Sequence, residues 1–306
     1  MIKANNLIDV LNLFNPKKSL STQEELDNYF VERPRGSLHE METYLRSMRD
    51  KVKILFSGHR GSGKSTELSK LAYLLGEQFF IVKFSIAESL NLYDLNYVDV
   101  ILSMAVKLLQ QAHENEVKID DSLLEDVFDW FTNEITKEIV IEIPKEASVS
   151  TNLNLLVGKI EGKFGSETVS RTIMRERVGP RLSELIEKIE LTILEIERKT
   201  KKCLLIIIED IDKTDLNTSR HLFFEHGISL SKINSRIIYT FPIALRYSND
   251  FPHIVRNFDM CFVLPNVKIF NKEETIDEVG YKTLKKVILK RMEETIITQE
   301  ALNEVM

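Results

Sequence analysis

Apolar residues in this chain fall into short continuous runs and longer stretches with helical spacing, and the two kinds alternate. Lys53–Ser57 is a β-rich run ending at Gly58, and Phe79–Phe84, Cys203–Ile208, Arg236–Phe241 and Met260–Leu264 are further runs of strand length. An unbroken apolar stretch such as Leu204–Ile208 is what a strand covered on both faces requires. Between these runs the spacing changes to that of helices. Leu68, Leu71, Leu74 and Leu75 follow the Lys64-Ser65-Thr66 corner, and Val98, Ile101, Leu102, Ala105 and Leu109 mark a helix over Tyr93–Ala112. Pro180 opens a long helix to about Lys199, striped by Leu182, Leu185, Ile186, Ile189, Ile193 and Ile196, because proline is at home in a first helical turn. A short helix is expected near Ile243–Tyr247 and a last one over Lys272–Met292. Strands alternating with helices predict an α/β fold with a doubly wound parallel sheet and helices on both faces.

The pattern weakens at the edges of this alternation. Residues 1–50 read as an irregular arm and a helix, capped by Ser37 and carrying Leu38, Met41, Leu45 and Met48. Residues 51–271 read as the core, with 113–200 as a helical, partly flexible insertion, and 272–306 as the start of a helical lid. Within the insertion, Leu123–Phe131 is helical, Ile139–Ile143 resembles a short strand, and Pro144–Val178 mixes Ser, Thr, Gly and charges as mobile segments do.

Bulk composition narrows the function classes. A 306-residue chain with 43% hydrophobic and 29% charged residues is an ordinary globular protein. Its net charge of −6, with no basic block, does not favour nucleic acid as the main partner. The longest clean apolar run, Leu204–Ile208, is far too short to span a bilayer, and the N-terminal residues lack the apolar core of a signal peptide. Cys203 and Cys261 lie in apolar segments and are expected to be reduced core residues of a cytoplasmic protein. His221 and His226 show no cysteine or acid arrangement that suggests zinc.

The most specific chemistry is Gly58-His59-Arg60-Gly61-Ser62-Gly63-Lys64-Ser65, which matches G-x-x-x-x-G-K-[ST] at every fixed position, between an apolar strand and an apolar-periodic helix. Glycines permit positive φ and bring backbone N–H groups close to phosphate oxygens. The following helix directs its positive end at the same point. Lys64 is expected to reach the β- and γ-phosphates of ATP, and the Ser65 hydroxyl to ligate Mg²⁺. Arg60 either touches phosphate or braces the loop against an acid.

A second signal is the buried run ending in Glu209-Asp210-Ile211-Asp212. Phosphoryl transfer needs one acid to serve Mg²⁺ and one to position the attacking water. By position Glu209 serves the metal and Asp210 polarises water; a register slipped by one gives the metal to Asp210 and leaves Asp212 as the second acid. Thr240 ends another buried run and is either a γ-phosphate sensor or a plain strand-terminal threonine. Arg246 and Arg256 are candidates for an arginine acting on a neighbour's nucleotide, against the alternative of a surface cation.

With these motifs in place, the chain resembles the additional-strand branch of P-loop ATPases, and within it bacterial ATPases of the AAA+/STAND type. The resemblance rests on Tyr29-Phe30-Val31-Glu32-Arg33-Pro34, on Gly58-His59-Arg60-Gly61-Ser62-Gly63-Lys64-Ser65-Thr66-Glu67-Leu68, and on Ile206-Ile207-Ile208-Glu209-Asp210-Ile211-Asp212-Lys213. Phe262-Val263-Leu264-Pro265-Asn266 is similar to the last core strand of that family and the turn into its lid. The resemblance implies a sheet order of 2-3-4-1-5, Glu32 and Arg33 on the adenine side of the site, and ATP with Mg²⁺ as ligands. It further implies a nucleotide-dependent switch that assembles with copies of itself or with a partner protein. Many such proteins act in signalling or in defence against phage. The competing expectations are a nucleotide-binding scaffold with little turnover, a kinase, and a DNA-associated ATPase.

Overall fold

The apolar runs become the strands of one sheet. The computed structural model describes residues 3–16, 18–136, 155, 158–160, 162, 168–298 and 300–301. Its strands are β1 (Lys53–Gly58), β2 (Phe79–Ser85), β3 (Cys203–Glu209), β4 (Arg236–Phe241) and β5 (Met260–Leu264). They form a five-stranded, all-parallel sheet in the order β2-β3-β4-β1-β5, with helices around it, which is the fold and strand order expected. The helices named here are α1 (Leu7–Leu13), α2 (Gln23–Tyr29), α3 (Leu38–Ser47), α4 (Lys64–Leu75), α5 (Tyr97–Glu114), α6 (Asp121–Phe131) and α7 (Thr168–Val178). They continue with α8 (Leu182–Thr200), α9 (Leu216–Arg220), α10 (Gly227–Ser231), α11 (Ile243–Arg246), α12 (Phe251–Ile254) and α13 (Glu278–Leu289). The strand expected at Ile139–Ile143 and most of the following stretch lie outside the described residues.

Helix boundaries move where local hydrogen bonding overrides apolar spacing. α5 starts at Tyr97 rather than Tyr93, because the Asn96 and Asp99 side chains form a reciprocal capping box there. Pro180 lies in a 3₁₀ turn, Gly179–Arg181, ahead of α8. α13 begins at Glu278 rather than Lys272: the Asp277 carboxylate caps Gly280 N–H, and residues 271–275 are closed into a turn by Asn271. Cys203 is exposed at the start of β3 and Cys261 is half-buried, so only the second approaches the expected core position. Both thiols are free, and burial raises the pKa of Cys261.

The chain divides into two compact units. The larger comprises Met48–Ser57 and Gly76–Cys261. Its core joins Leu204, Ile206 and Ile208 of β3 to Val82 and Phe84 of β2 and to the apolar stripes of α5 and α8. Leu185, Ile189, Ile193 and Ile196 of α8 are fully or almost fully buried there. α7 is tied to α5 by the Arg175 guanidinium, which donates to the buried Asp99 carboxylate at 2.9 Å. Burial raises the Asp99 pKa, opposed by Arg175.

The smaller unit comprises Met1–Ser47, Gly58–Leu75 and Phe262–Met306. Ala4 pairs with Met292 as an isolated bridge, and the two pack with Ile288 of α13. α2 opens with a capping box in which Thr22 and Glu25 satisfy each other's backbone N–H groups. Lys18, at 2.6 Å, and the N–H groups of Ser21 and Thr22 hold the Glu25 carboxyl down to about 2. A carboxyl stabilised in its charged form contributes fully above its ordinary value near 4.5 and loses that contribution as the pH falls towards 2. Glutamine keeps the capping-box geometry, so Glu25→Gln removes chiefly the charge opposite the exposed Lys18 and is expected to cost ~0.5–1 kcal/mol at pH 7. In urea titrations the difference from wild type should shrink between pH 4.5 and 2. A difference that is independent of pH would contradict the assignment.

Candidate functional site

The glycine-rich loop Gly58–Ser65 belongs to the smaller unit. Gly61 and Gly63 adopt φ of +80° and +90°, a region that side-chain-bearing residues rarely enter. Ser62 N–H donates to His59 O at 3.1 Å and Glu67 N–H to Gly63 O at 3.0 Å, so the loop closes directly into the first turn of α4. Lys64 is buried, and its ammonium donates to the carbonyls of Gly58 at 2.9 Å and His59 at 3.0 Å. The Ser62 hydroxyl is buried without a hydrogen-bond partner among the described residues. Ser65 is half-buried at the second position of α4, and the Thr66 hydroxyl accepts from Leu20 N–H at 3.3 Å. His59 and Arg60 are exposed.

Arg33 meets this loop. Its Nε lies 3.3 Å from the carboxylate of Glu67, which is 2% exposed. A Cβ built on Gly63 would fall 2.5 Å from Arg33 Nη2, so the guanidinium fills the space that only glycine leaves open. Burial lowers the Arg33 pKa and raises that of Glu67, each opposed by its partner's charge. Glu32 is exposed beside it. Arg33 also lines a small, largely apolar cleft of about 50 Å³ with Pro34, Pro265, Val267, Val279 and Thr283. The resemblance implies Arg33 on the adenine side of the site; it says nothing of the α13 wall, because nothing in the periodicity of α13 reports what it faces.

That wall depends on Gly280. A Cβ there would lie 1.6 Å from Lys268 O, a collision with backbone that no rotamer relieves. Helix propensity alone favours Gly→Ala by ~1 kcal/mol. Overpacking costs ~1–3 kcal/mol and more where the backbone must move. Gly280→Ala is therefore expected to lower the melting temperature by several degrees. A raised melting temperature would mean that α13 does not pack against Lys268 as described.

Glu209, Asp210, Thr240 and Arg256 belong to the larger unit. β1, β4 and β3 run parallel, with Phe56 opposite Thr240 and Ile208 opposite Tyr239. Thr240 and Glu209 thus stand at the carboxyl end of the sheet, where open α/β sheets bind ligands. The Thr240 hydroxyl donates to Ile208 O at 3.3 Å and accepts from Ile211 N–H at 3.1 Å, clamping the turn that carries both acids. Asp210 is left-handed at φ +71°. Its carboxylate accepts from the Ser85 hydroxyl at 2.6 Å and pairs with Lys213 at 2.6 Å. Glu209, which is 7% exposed, pairs with Lys83 at 2.6 Å. Asp212 is half-buried in the following 3₁₀ turn. Arg256 is exposed on the 3₁₀ turn Val255–Asn257, just ahead of β5, and the Arg246 guanidinium stacks on Phe251 at 4.1 Å.

Lys83 and Ser85 were not legible as site residues, since a lysine and a serine near a strand end carry no motif. The register that sets Ser85 opposite Glu209 makes them neighbours of the acids. No protein-family profile and no curated protein sequence matches this chain. Among the described residues no helix is long and apolar enough to cross a membrane.

Proposed function

We propose that this chain is a Mg²⁺-dependent P-loop ATPase whose binding and hydrolysis of ATP drive a conformational and assembly switch. The phosphate cradle carries the reading: two glycines at positive φ, a buried lysine at the helix start and an unpartnered buried hydroxyl on Ser62. Such a cradle suits a polyphosphate because its N–H groups and ammonium supply donors where the ligand supplies only acceptors. Lys64 exchanges its loop carbonyls for phosphate oxygens, and Ser65 holds Mg²⁺. When bound, that ion neutralises phosphate charge. Glu209 serves the metal and Asp210 polarises the attacking water. Thr240 is a positioning residue that fixes the turn carrying both acids. The apolar cleft beside Arg33 receives the base. The resemblance to AAA+/STAND ATPases extends the proposal to assembly with further copies or a partner protein, in signalling or antiphage defence, with Arg256 available to a neighbour's site.

A second reading, a nucleotide-gated scaffold with little turnover, is favoured by the ammonium groups of Lys83 and Lys213 already resting on the two acids. Phosphate release under single-turnover conditions separates the two. The ATPase reading expects inorganic phosphate from ATP with Mg²⁺ and none with EDTA. Tight binding without release supports the scaffold, and transfer of the γ-phosphate to an acceptor in preference to water overturns both.

A further inference from the structure

The connection between β3 and β4 holds a second group of chemistry-bearing side chains. α9 does not continue as a regular helix but widens into a π-turn, His221–Glu225, in which His226 N–H donates to His221 O at 3.1 Å. In an α-helix residue 226 would point about 140° away from residue 221. The wider turn returns it to the same side, which is why spacing alone gave no sign of a ligand set. His221 and His226 meet with ring centroids 4.5 Å apart, and Glu225 Oε2 lies 3.0 Å from His221 Nδ1. One ligand atom from each of His221, Glu225 and His226 lies within 4.8 Å of the others. π-turns inside helices are frequent at functional sites.

We propose that His221, Glu225 and His226 form a binding site for a divalent transition-metal ion of the zinc class. Two imidazoles and a carboxylate are a donor set for such an ion, leaving a position for water. Tetrahedral ligands about 2.0–2.1 Å from zinc stand about 3.3 Å from one another. These side chains are half-buried or exposed, so rotation about their own bonds suffices to close the gap. Tyr97 of α5 stacks on His226 at 3.9 Å with a 12° tilt and fixes its ring plane. Arg220 lies 3.3 Å from Glu225 but is itself held by Asp250 at 2.7 Å, so the local cation is already balanced. A bound ion would brace the segment joining the acids of β3 to Thr240 of β4.

The test uses nucleotide-free, untagged full chain, stripped with a chelator and titrated with Zn²⁺ by calorimetry. One ion per chain is expected, with binding at least tenfold weaker in His221→Ala and in His226→Ala. Less than one ion per chain, or unchanged affinity in both variants, overturns the site. Diethylpyrocarbonate labelling of the unaltered chain provides a measurement that does not depend on how the variants fold. Zn²⁺ should protect His221 and His226 at least tenfold while leaving His113 and His253 reactive. Equal labelling of all four with and without Zn²⁺ also overturns it.

Discussion

Lys64→Ala is expected to weaken ATP binding about 100-fold and to abolish Mg²⁺-dependent phosphate release. The magnitude corresponds to two charge-assisted hydrogen bonds, ~3 kcal/mol together. The ammonium is buried at the head of α4 and donates to two loop carbonyls, which under the proposed function it exchanges for phosphate oxygens. Alanine is the best helix former, and α4 should persist. A fluorescent-nucleotide titration reads the affinity, and a melting curve without nucleotide confirms that the variant is folded. Equal affinity in wild type and variant would remove Lys64 from the site.

The second large effect is on turnover alone. Asp210→Asn should bind ATP within about threefold of wild type and hydrolyse it about 10²–10⁴-fold more slowly, the range of a lost general base. Asparagine is the informative replacement because Asp210 is left-handed at φ +71°. Asparagine tolerates that region, whereas alanine would add ~1–2 kcal/mol of backbone strain. The Ser85 hydroxyl at 2.6 Å can still donate to the amide oxygen, and only the charge opposite Lys213 is lost. Single-turnover hydrolysis measures the effect. Loss of turnover in Glu209→Gln with none in Asp210→Asn would transfer the water-polarising role to Glu209. Equal loss of binding in both would contradict the division of roles.

The sheet was legible because its signal is dense. A strand buried on both faces, such as Leu204–Ile208, cannot carry polar residues, and its five apolar positions stand out without any partner being known. The conformation of the glycine-rich loop was legible for the opposite reason: its backbone demands fix residue types, glycine at 61 and 63 above all. What escaped depends on registers and local caps. Ser85 and Lys83 become partners of the acids only through the pairing of β2 with β3. The role of the Thr240 hydroxyl in clamping the acidic turn follows from its hydrogen bonds to Ile208 and Ile211, which a strand-terminal threonine does not announce. Glu225 joins the two histidines only because the helix widens by one residue per turn there. Cys203 was misplaced as a core residue because strand periodicity does not say which end of a strand is open to solvent.

The most direct measurement is a crystal structure with a non-hydrolysable ATP analogue and Mg²⁺. The triphosphate is expected along the N–H groups of Gly58–Thr66, with Lys64 Nζ turned from its carbonyls onto the phosphates and the metal on Ser65. The base should lie against Arg33 and Pro265. An analogue bound elsewhere, with Lys64 still donating to Gly58 and His59, would contradict the phosphate-cradle reading on which the proposed ATPase rests.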